Sequence, residues 1–368
     1  MPVMAEADSI WVMNALSAMA GAALIVVVLV EGFETVVLPH IVFRRVRLTR
    51  FFYMGTWRVW SLIVCGAFAP GRRRETFLSL YGPLSLIILL GLWALLLITG
   101  FALLYYSSSA GVFEGVKTGN AGFPVCLYYS GTTFFTLGLG DVLPRVPWAR
   151  ALTVLEAGTG FGFLATFISY LPPLNQFFYN RETPVSALSA RIGTPASAFG
   201  ILDRHIAGQN LDVLHQLLYD WERWAAELHE SHLAYPVLAY FRSEHEDQSW
   251  LTALAAIMDT CAFIMSGMEG ACKCQAELTF SMSLHAITDM SSVFHCPPEP
   301  PVDRLAPGEL DRLRLKMLEK GFLGLPDAVE LDRKLAKLCS RYEPYVQALA
   351  GRFHLAVPPW AGTAEPEK

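Results

Sequence analysis

Charge is scarce in this chain. Only 17% of its 368 residues are Asp, Glu, Lys or Arg, against about 25% in an ordinary soluble domain. No Lys or Arg occurs before Arg44, so the first apolar run lacks the basic leader of a signal peptide. No charge at all falls between Thr76 and Phe113. The seven cysteines are odd in number and scattered, which excludes a secreted disulfide framework and suits a reducing compartment. No strand-rich pattern appears, and no G-x-G-x-x-G follows a strand, so a nucleotide-binding regulatory domain is not expected. The first apolar run carries no regular ladder of Arg, which argues against a voltage sensor.

What is present divides the chain in two. Residues 1–179 carry 11 basic and 8 acidic side chains, and residues 180–368 carry 17 and 25. A slightly basic, apolar half is followed by an acidic, soluble-looking half. The acidic half argues against nucleic acid as a partner. Three apolar stretches are long enough to cross a bilayer as helices, at about 10–38, 78–107 and 148–172. Arg44, Arg45, Arg47 and Arg50 follow the first, and Arg72, Arg73 and Arg74 precede the second. Both clusters should be cytoplasmic, which puts the N-terminus outside and the C-terminal half in the cytosol of a multi-pass protein of the cell membrane. Residues 51–68, with Trp57, Arg58 and Trp60, then read as an amphipathic helix on the inner interface.

Between the second and third spans lies "FPVCLYYSGTTFFTLGLGD", residues 123–141. Its first part is a short helix, too short to cross, with Pro124 in its first turn. It should dip into the membrane and return through "TLGLGD" (136–141). Non-helical backbone at that depth survives only where protein or water covers it. Gly138 and Gly140 can take positive φ without a Cβ penalty. A strand of alternating handedness points successive carbonyls to one side, and a ring of such carbonyls replaces the water shell of a cation.

Span, short helix, T-x-G-x-G-D and span resemble the pore unit of the tetrameric potassium-channel family, over roughly residues 80–175. In that resemblance Thr136, Leu137, Gly138, Leu139 and Gly140 match the filter, and Asp141 matches the acid that follows it. Tyr128 and Tyr129 match the aromatic pair behind the filter, and Gly160 matches the inner-helix hinge. Two departures stand out: Leu139 replaces the filter Tyr, and Thr132 stands where some bacterial channels have a Glu bound to the Asp. They imply a filter supported by packing of Leu139 on the Tyr128 and Tyr129 rings. Phe135 replaces a Thr at the roof of the cavity.

Other residues carry open readings. Gly158, Gly160 and Gly162 serve a hinge or close helix packing. Glu156 is costly inside a bilayer; it tunes the pore or bonds the back of the pore helix. Glu31 and Glu34 read as partners of Arg44 or Arg45. Pro172 and Pro173 end or kink the third helix, and residues 179–200 read as a linker. Beyond it, helical apolar spacing over 211–228, a buried helix over 249–267, and amphipathic helices over 308–320 and 327–350 make a cytosolic domain of residues 201–354. Residues 355–368 read as a disordered tail. Cys272, Cys274, His285, His295 and Cys296 fit no standard zinc spacing, so no metal beyond potassium is expected. His229, His232 and His245 read as residues of solvated helix faces.

The expectation is therefore an all-α membrane protein. Residues 1–178 form a pore domain with three transmembrane helices, an interfacial helix and a re-entrant pore helix with filter. A C-terminal helical cytosolic domain follows. It should conduct potassium passively as a homotetramer in the lipid bilayer, modulated by that domain and by any cytosolic ligand it takes. It should not be an enzyme, and no organic cofactor is expected. The alternatives are a weakly selective cation channel, a subunit of a potassium transporter, and a non-conducting membrane sensor with a vestigial pore loop.

Overall fold

A computed structural model describes residues 2–37, 48–107, 112–114, 122–207, 211–243, 248–268, 270–300, 304–305, 308–319, 327–357 and 359–360. These residues form an almost wholly helical protein, with one two-stranded ribbon among them. Among the described residues, four helices are long and apolar enough to cross a membrane: Trp11–Val36, Arg72–Ser107, Pro147–Ile192 and Trp250–Gly267. The chain is an α-helical membrane protein. The contacts divide it into two compact units, Met1–Ile63 with Pro83–Pro173 and Val64–Gly82 with Leu174–Lys368.

The first unit starts with α1 (Pro2–Gly32), which passes into a π-helical turn at Phe33–Val37. Then come α2 (Leu48–Ala67) and α4 (Tyr81–Ser107); the short α3 (Arg72–Ser79), between them in the chain, belongs to the second unit. α5 (Phe123–Phe134) is flanked by β1 (Val112–Glu114) and β2 (Val142–Pro144), and α6 (Pro147–Ile192) follows. β1 and β2 pair antiparallel, with Phe113 opposite Leu143.

Small residues let α1 and α4 approach closely. A Cβ on Gly21 would stand 2.6 Å from the Gly100 carbonyl oxygen, and one on Gly100 would stand 2.7 Å from Ile25. This is how helices associate where lipid supplies no hydrophobic drive. The core of the unit is Val28, Trp93, Leu97, Phe101, Tyr105 and their neighbours, against which Tyr129 and Phe134 of α5 pack. Only 11% of the apolar window of α1 is buried, and its Trp11, Leu16 and Met19 point outward. An apolar surface of that extent is a lipid or subunit surface.

The expected interfacial helix at 51–68 is α2. It buries Trp57 and Ser61, and exposes Phe51, Met54, Arg58, Val59, Leu62 and Ile63. Its first turn is tied down by Glu31, whose Oε1 accepts from the Thr49 backbone N–H and hydroxyl, both at 2.7 Å. A carboxylate at a helix N-terminus satisfies orphan donors and faces the positive end of the dipole. Glu31 therefore meets a helix terminus. Arg44 and Arg45, its expected partners, lie outside the described residues, as does Arg47.

Two expectations about the third span need correction. α6 does not end at Pro172–Pro173; it runs on to Ile192. Residues 179–200 are correspondingly no linker. Arg181, Val185, Leu188 and Ser189 are buried in the second unit. Of the small side chains there, Ser186, Ala187 and Ala190 are exposed and Ser189 is buried, so Arg181, Val185 and Leu188 make up most of the packed face. Burial of one face outweighs weak local propensity.

The second unit contains α7 (Ala198–Ala207), α8 (Leu211–Ala234), α9 (Trp250–Gly267), α10 (Ala271–Val293), α11 (Glu309–Glu319) and α12 (Ala328–Phe353). α9 is its centre. Although apolar enough to span a membrane, it is 94% buried by the protein's own helices. A helix apolar on all sides needs such a jacket or lipid. Within it Asp259 takes both terminal nitrogens of Arg304, at 3.0 and 2.7 Å, and a hydrogen bond from Tyr342. Arg304 Nε also donates to Glu343 at 2.6 Å. The start of the expected disordered tail is docked. The Thr252 hydroxyl donates to the Ala356 carbonyl, and Trp360 is buried and donates to the Arg304 carbonyl. Residues 361–368 lie outside the described residues.

Candidate functional site

The candidate site is the loop that joins α5 to α6. α5 is 12 residues long, entered from Gly122 with Pro124 in its first turn. Such a helix is about 18 Å long, short of a bilayer's apolar thickness of about 30 Å. It ends where Phe135 N–H bonds back to Gly131, Thr136 N–H to Thr133 at 2.9 Å, and Leu137 N–H to Thr132 at 2.7 Å.

From there the backbone alternates. φ is +56° at Thr136, +55° at Gly138 and +80° at Gly140. The left-handed region is cheap for Gly and costs other residues about 1–2 kcal/mol. Leu137 and Leu139, between them, are not among the positive-φ residues. Alternation of this kind turns successive carbonyls toward a common side. All seven residues from Phe135 to Asp141 are exposed in the single chain, and a Cβ on Gly138 or Gly140 would meet nothing within 4 Å. Leu139 is 64% exposed. The segment is thus held at its base and bare along its length.

Support comes from three places. Tyr128 donates from its hydroxyl to Asp141 Oδ2 at 2.9 Å, and Asp141 Oδ1 accepts from the Val142 N–H at 3.1 Å. The expectation of support by Leu139 packing without directional bonds is corrected here: a phenol meets the acid that follows this segment. Thr132, where a carboxylate is missing, donates instead to the Tyr129 carbonyl at 2.9 Å. Tyr129 faces the core, not Leu139. Its hydroxyl lies 2.7 Å from the Thr153 hydroxyl, and its ring meets Tyr105 edge-on at 5.1 Å.

Glu156 is fully buried behind α5. It accepts from Tyr105 at 2.9 Å and from Ser130, which also lies 2.8 Å from the Ile98 carbonyl oxygen. Of the two readings open for Glu156, bonding the back of the short helix is the one observed. The carboxylate links α4, α5 and α6 and pins the helix that carries the loop.

Gly160 lies where α6 crosses the end of α5. A Cβ there would stand 2.0 Å from the Phe134 carbonyl oxygen, whereas a Cβ on Gly158 or Gly162 would meet nothing within 4 Å. Close approach is therefore reason enough for Gly160. Sequence reasoning missed the Tyr128–Asp141 bond, and of the second contact, Glu156 to Ser130, it gave the role but not the partner. The signal for the second was a carboxylate and a Ser at matching depth on facing helices.

The histidines and cysteines of the second unit do not form the set considered from the sequence. Cys272 and Cys296 are buried and Cys274 is exposed. Burial pushes the Cys272 thiol up to about 11. His232 lies on no solvated face: it is fully buried, and burial, with Arg181 beside it, pushes it down to about 3. His245 lies outside the described residues.

An apolar helix, a short helix, a glycine-bearing loop and a second apolar helix define the class: an α-helical membrane protein with a short helix and loop between two apolar helices. Comparison with known proteins points the same way. Residues 92–172 match the model of a family described as ion channel. An uncharacterized membrane protein, YdjJ of Bacillus subtilis (strain 168), is 28% identical over 195 residues. That alignment covers 52% of this chain and 55% of the relative, so it spans about half the length of each. No solved structure matches.

Proposed function

We propose that the chain is one subunit of a potassium-selective channel. Passive conduction runs through a filter built from the carbonyls of Thr136, Leu137, Gly138, Leu139 and Gly140, with Asp141 at its outer end. The observation that carries this reading is the alternation of positive φ at 136, 138 and 140 at the end of a helix too short to span. Four such segments around an axis would replace the hydration shell of a cation. One chain supplies one segment, and that segment is bare in isolation. Exposed irregular backbone is not tolerated in hydrocarbon, so a homotetramer is the assembly that covers it. The match over residues 92–172 supports ion conduction in general; potassium as the ion rests on the T-L-G-L-G-D residues and the backbone they adopt.

In this reading the N-terminus is outside, residues 174 onward are cytosolic, and the second unit modulates opening. Rubidium uptake into potassium-loaded proteoliposomes tests it. Uptake is expected for the wild-type chain, and it is expected to fall to background for Gly138→Ala while the subunit count stays the same. Normal uptake by an assembled Gly138→Ala variant would overturn the filter assignment.

A further inference from the structure

The second unit has a cluster that neither its fold nor the proposed conduction requires. α8 and α10 pack side by side, and near one end three side chains converge: His229 from α8, His285 and Asp289 from α10. The last two are four residues apart and so share a helix face. Asp289 Oδ2 lies 3.0 Å from His229 Nε2 and 3.7 Å from His285 Nε2. The two imidazoles are 4.8 Å apart between ring centres. All three ligand atoms lie within 4.8 Å of one another.

We propose that these residues bind a divalent transition metal of the zinc class, with His229 Nε2, His285 Nε2 and Asp289 Oδ2 as ligands. The spacing fits. Zinc holds nitrogen and carboxylate ligands at about 2.0–2.2 Å, which separates tetrahedral ligands by about 3.3 Å. The two distances measured to Asp289 fall on either side of that value. The ligand types fit as well. Two imidazoles and one carboxylate suit zinc, cobalt or nickel, whereas magnesium and calcium prefer oxygen alone.

The surroundings prepare one ligand. Glu230 Oε1 lies 3.6 Å from His229 Nδ1. That separation is beyond a hydrogen bond, but the carboxylate's charge favours the tautomer with the proton on Nδ1, which leaves the Nε2 lone pair for the metal. His229 is buried, while His285 and Asp289 reach solvent, so the fourth position opens outward and takes water. A simple ion pair between His229 and Asp289 would need no second imidazole aimed at the same oxygen. The site uses none of the cysteines, and it stands whether or not the chain conducts.

Zinc titration of the full-length protein in detergent tests this, in a Cys274→Ser background that removes the exposed thiol. Calorimetry is expected to show one zinc per chain. His285→Ala and Asp289→Asn should each weaken binding by about ten-fold or more, and Glu230→Gln by about ten-fold. Both ligand residues reach solvent, so these variants should keep the wild-type circular dichroism. Cobalt should give the visible absorption of a tetrahedral nitrogen–oxygen site in the parent chain and lose it in His285→Ala. Absence of a saturable site at one zinc per chain would overturn the proposal. So would equal affinity in the parent, His285→Ala and Asp289→Asn.

Discussion

Tyr128 and Gly160 show how two side chains, or the lack of one, fix the loop between α5 and α6. The Tyr128 hydroxyl is a donor that Asp141 accepts. Tyr128→Phe keeps the ring and removes that bond. In the proposed channel the loop should still conduct in potassium. Its current should decay faster when external potassium is withdrawn, since the carbonyls then repel one another with less to hold them. An unchanged decay would mean that the Tyr128–Asp141 bond does not support the filter. Gly160→Ala places a methyl on the Phe134 carbonyl. Overpacking of this sort costs about 1–3 kcal/mol. The thermal midpoint should fall for Gly160→Ala and not for Gly158→Ala, where space is open. If both glycines tolerate Ala equally, close approach is not what Gly160 provides.

The helices were legible in the sequence to different degrees. α1, α4 and α5 fall close to where uncharged runs and Pro124 put them, because apolar length and a proline in the first turn act locally. α6 was misjudged at its far end. Pro172–Pro173 and the Ser- and Ala-rich residues after it signal a break, but buried Val185 and Leu188 keep the chain helical to Ile192. That is a tertiary effect, and no local pattern contains it. Glu156 was legible as costly, and bonding to the back of the short helix as one of two roles, but its partners Tyr105 and Ser130 were not, because they come from two other helices. Glu156→Leu should take the carboxylate from both hydroxyls, leaving Ser130 the Ile98 carbonyl and Tyr105 the more distant Thr153 hydroxyl, at about 0.5–1.5 kcal/mol per lost hydrogen bond. Assembly measured by size in mild detergent should drop, while Glu156→Gln, which keeps an acceptor, should be milder. Equal loss in the two variants would count against the hydrogen-bonding role.

For the second unit, the sequence indicated its helices but not its buried ion network or its histidines. Arg304 sits outside every helix, and nothing near it in sequence marks Asp259 or Glu343 as its partners. Arg304→Met strands two buried carboxylates, which is expected to cost about 3–5 kcal/mol. A fall in the midpoint of chemical unfolding followed by tryptophan fluorescence would register it. His232 gives the unit an acid sensitivity. Its Nδ1 donates to the Leu228 carbonyl at 2.8 Å, and burial holds the ring near pKa 3 against 6.5 ordinarily. A depressed histidine means that the unfolded chain binds the extra proton, so stability is lost as pH falls from 6.5 toward 3. Between pH 7 and pH 5 the loss from this residue is about 2 kcal/mol. Denaturant unfolding at the two pH values should show it, and His232→Gln should flatten the dependence. An unflattened dependence would assign the acid sensitivity elsewhere.

The central claim is that the T-L-G-L-G backbone selects potassium. The reversal potential of the purified protein in a planar bilayer, with potassium on one side and sodium on the other, tests it most directly. The account predicts a large reversal potential of the sign that potassium permeation dictates, which collapses when potassium bathes both sides. A reversal potential near zero across the potassium–sodium gradient would contradict it. Leu137 and Leu139 would then line an opening that admits cations without distinguishing them.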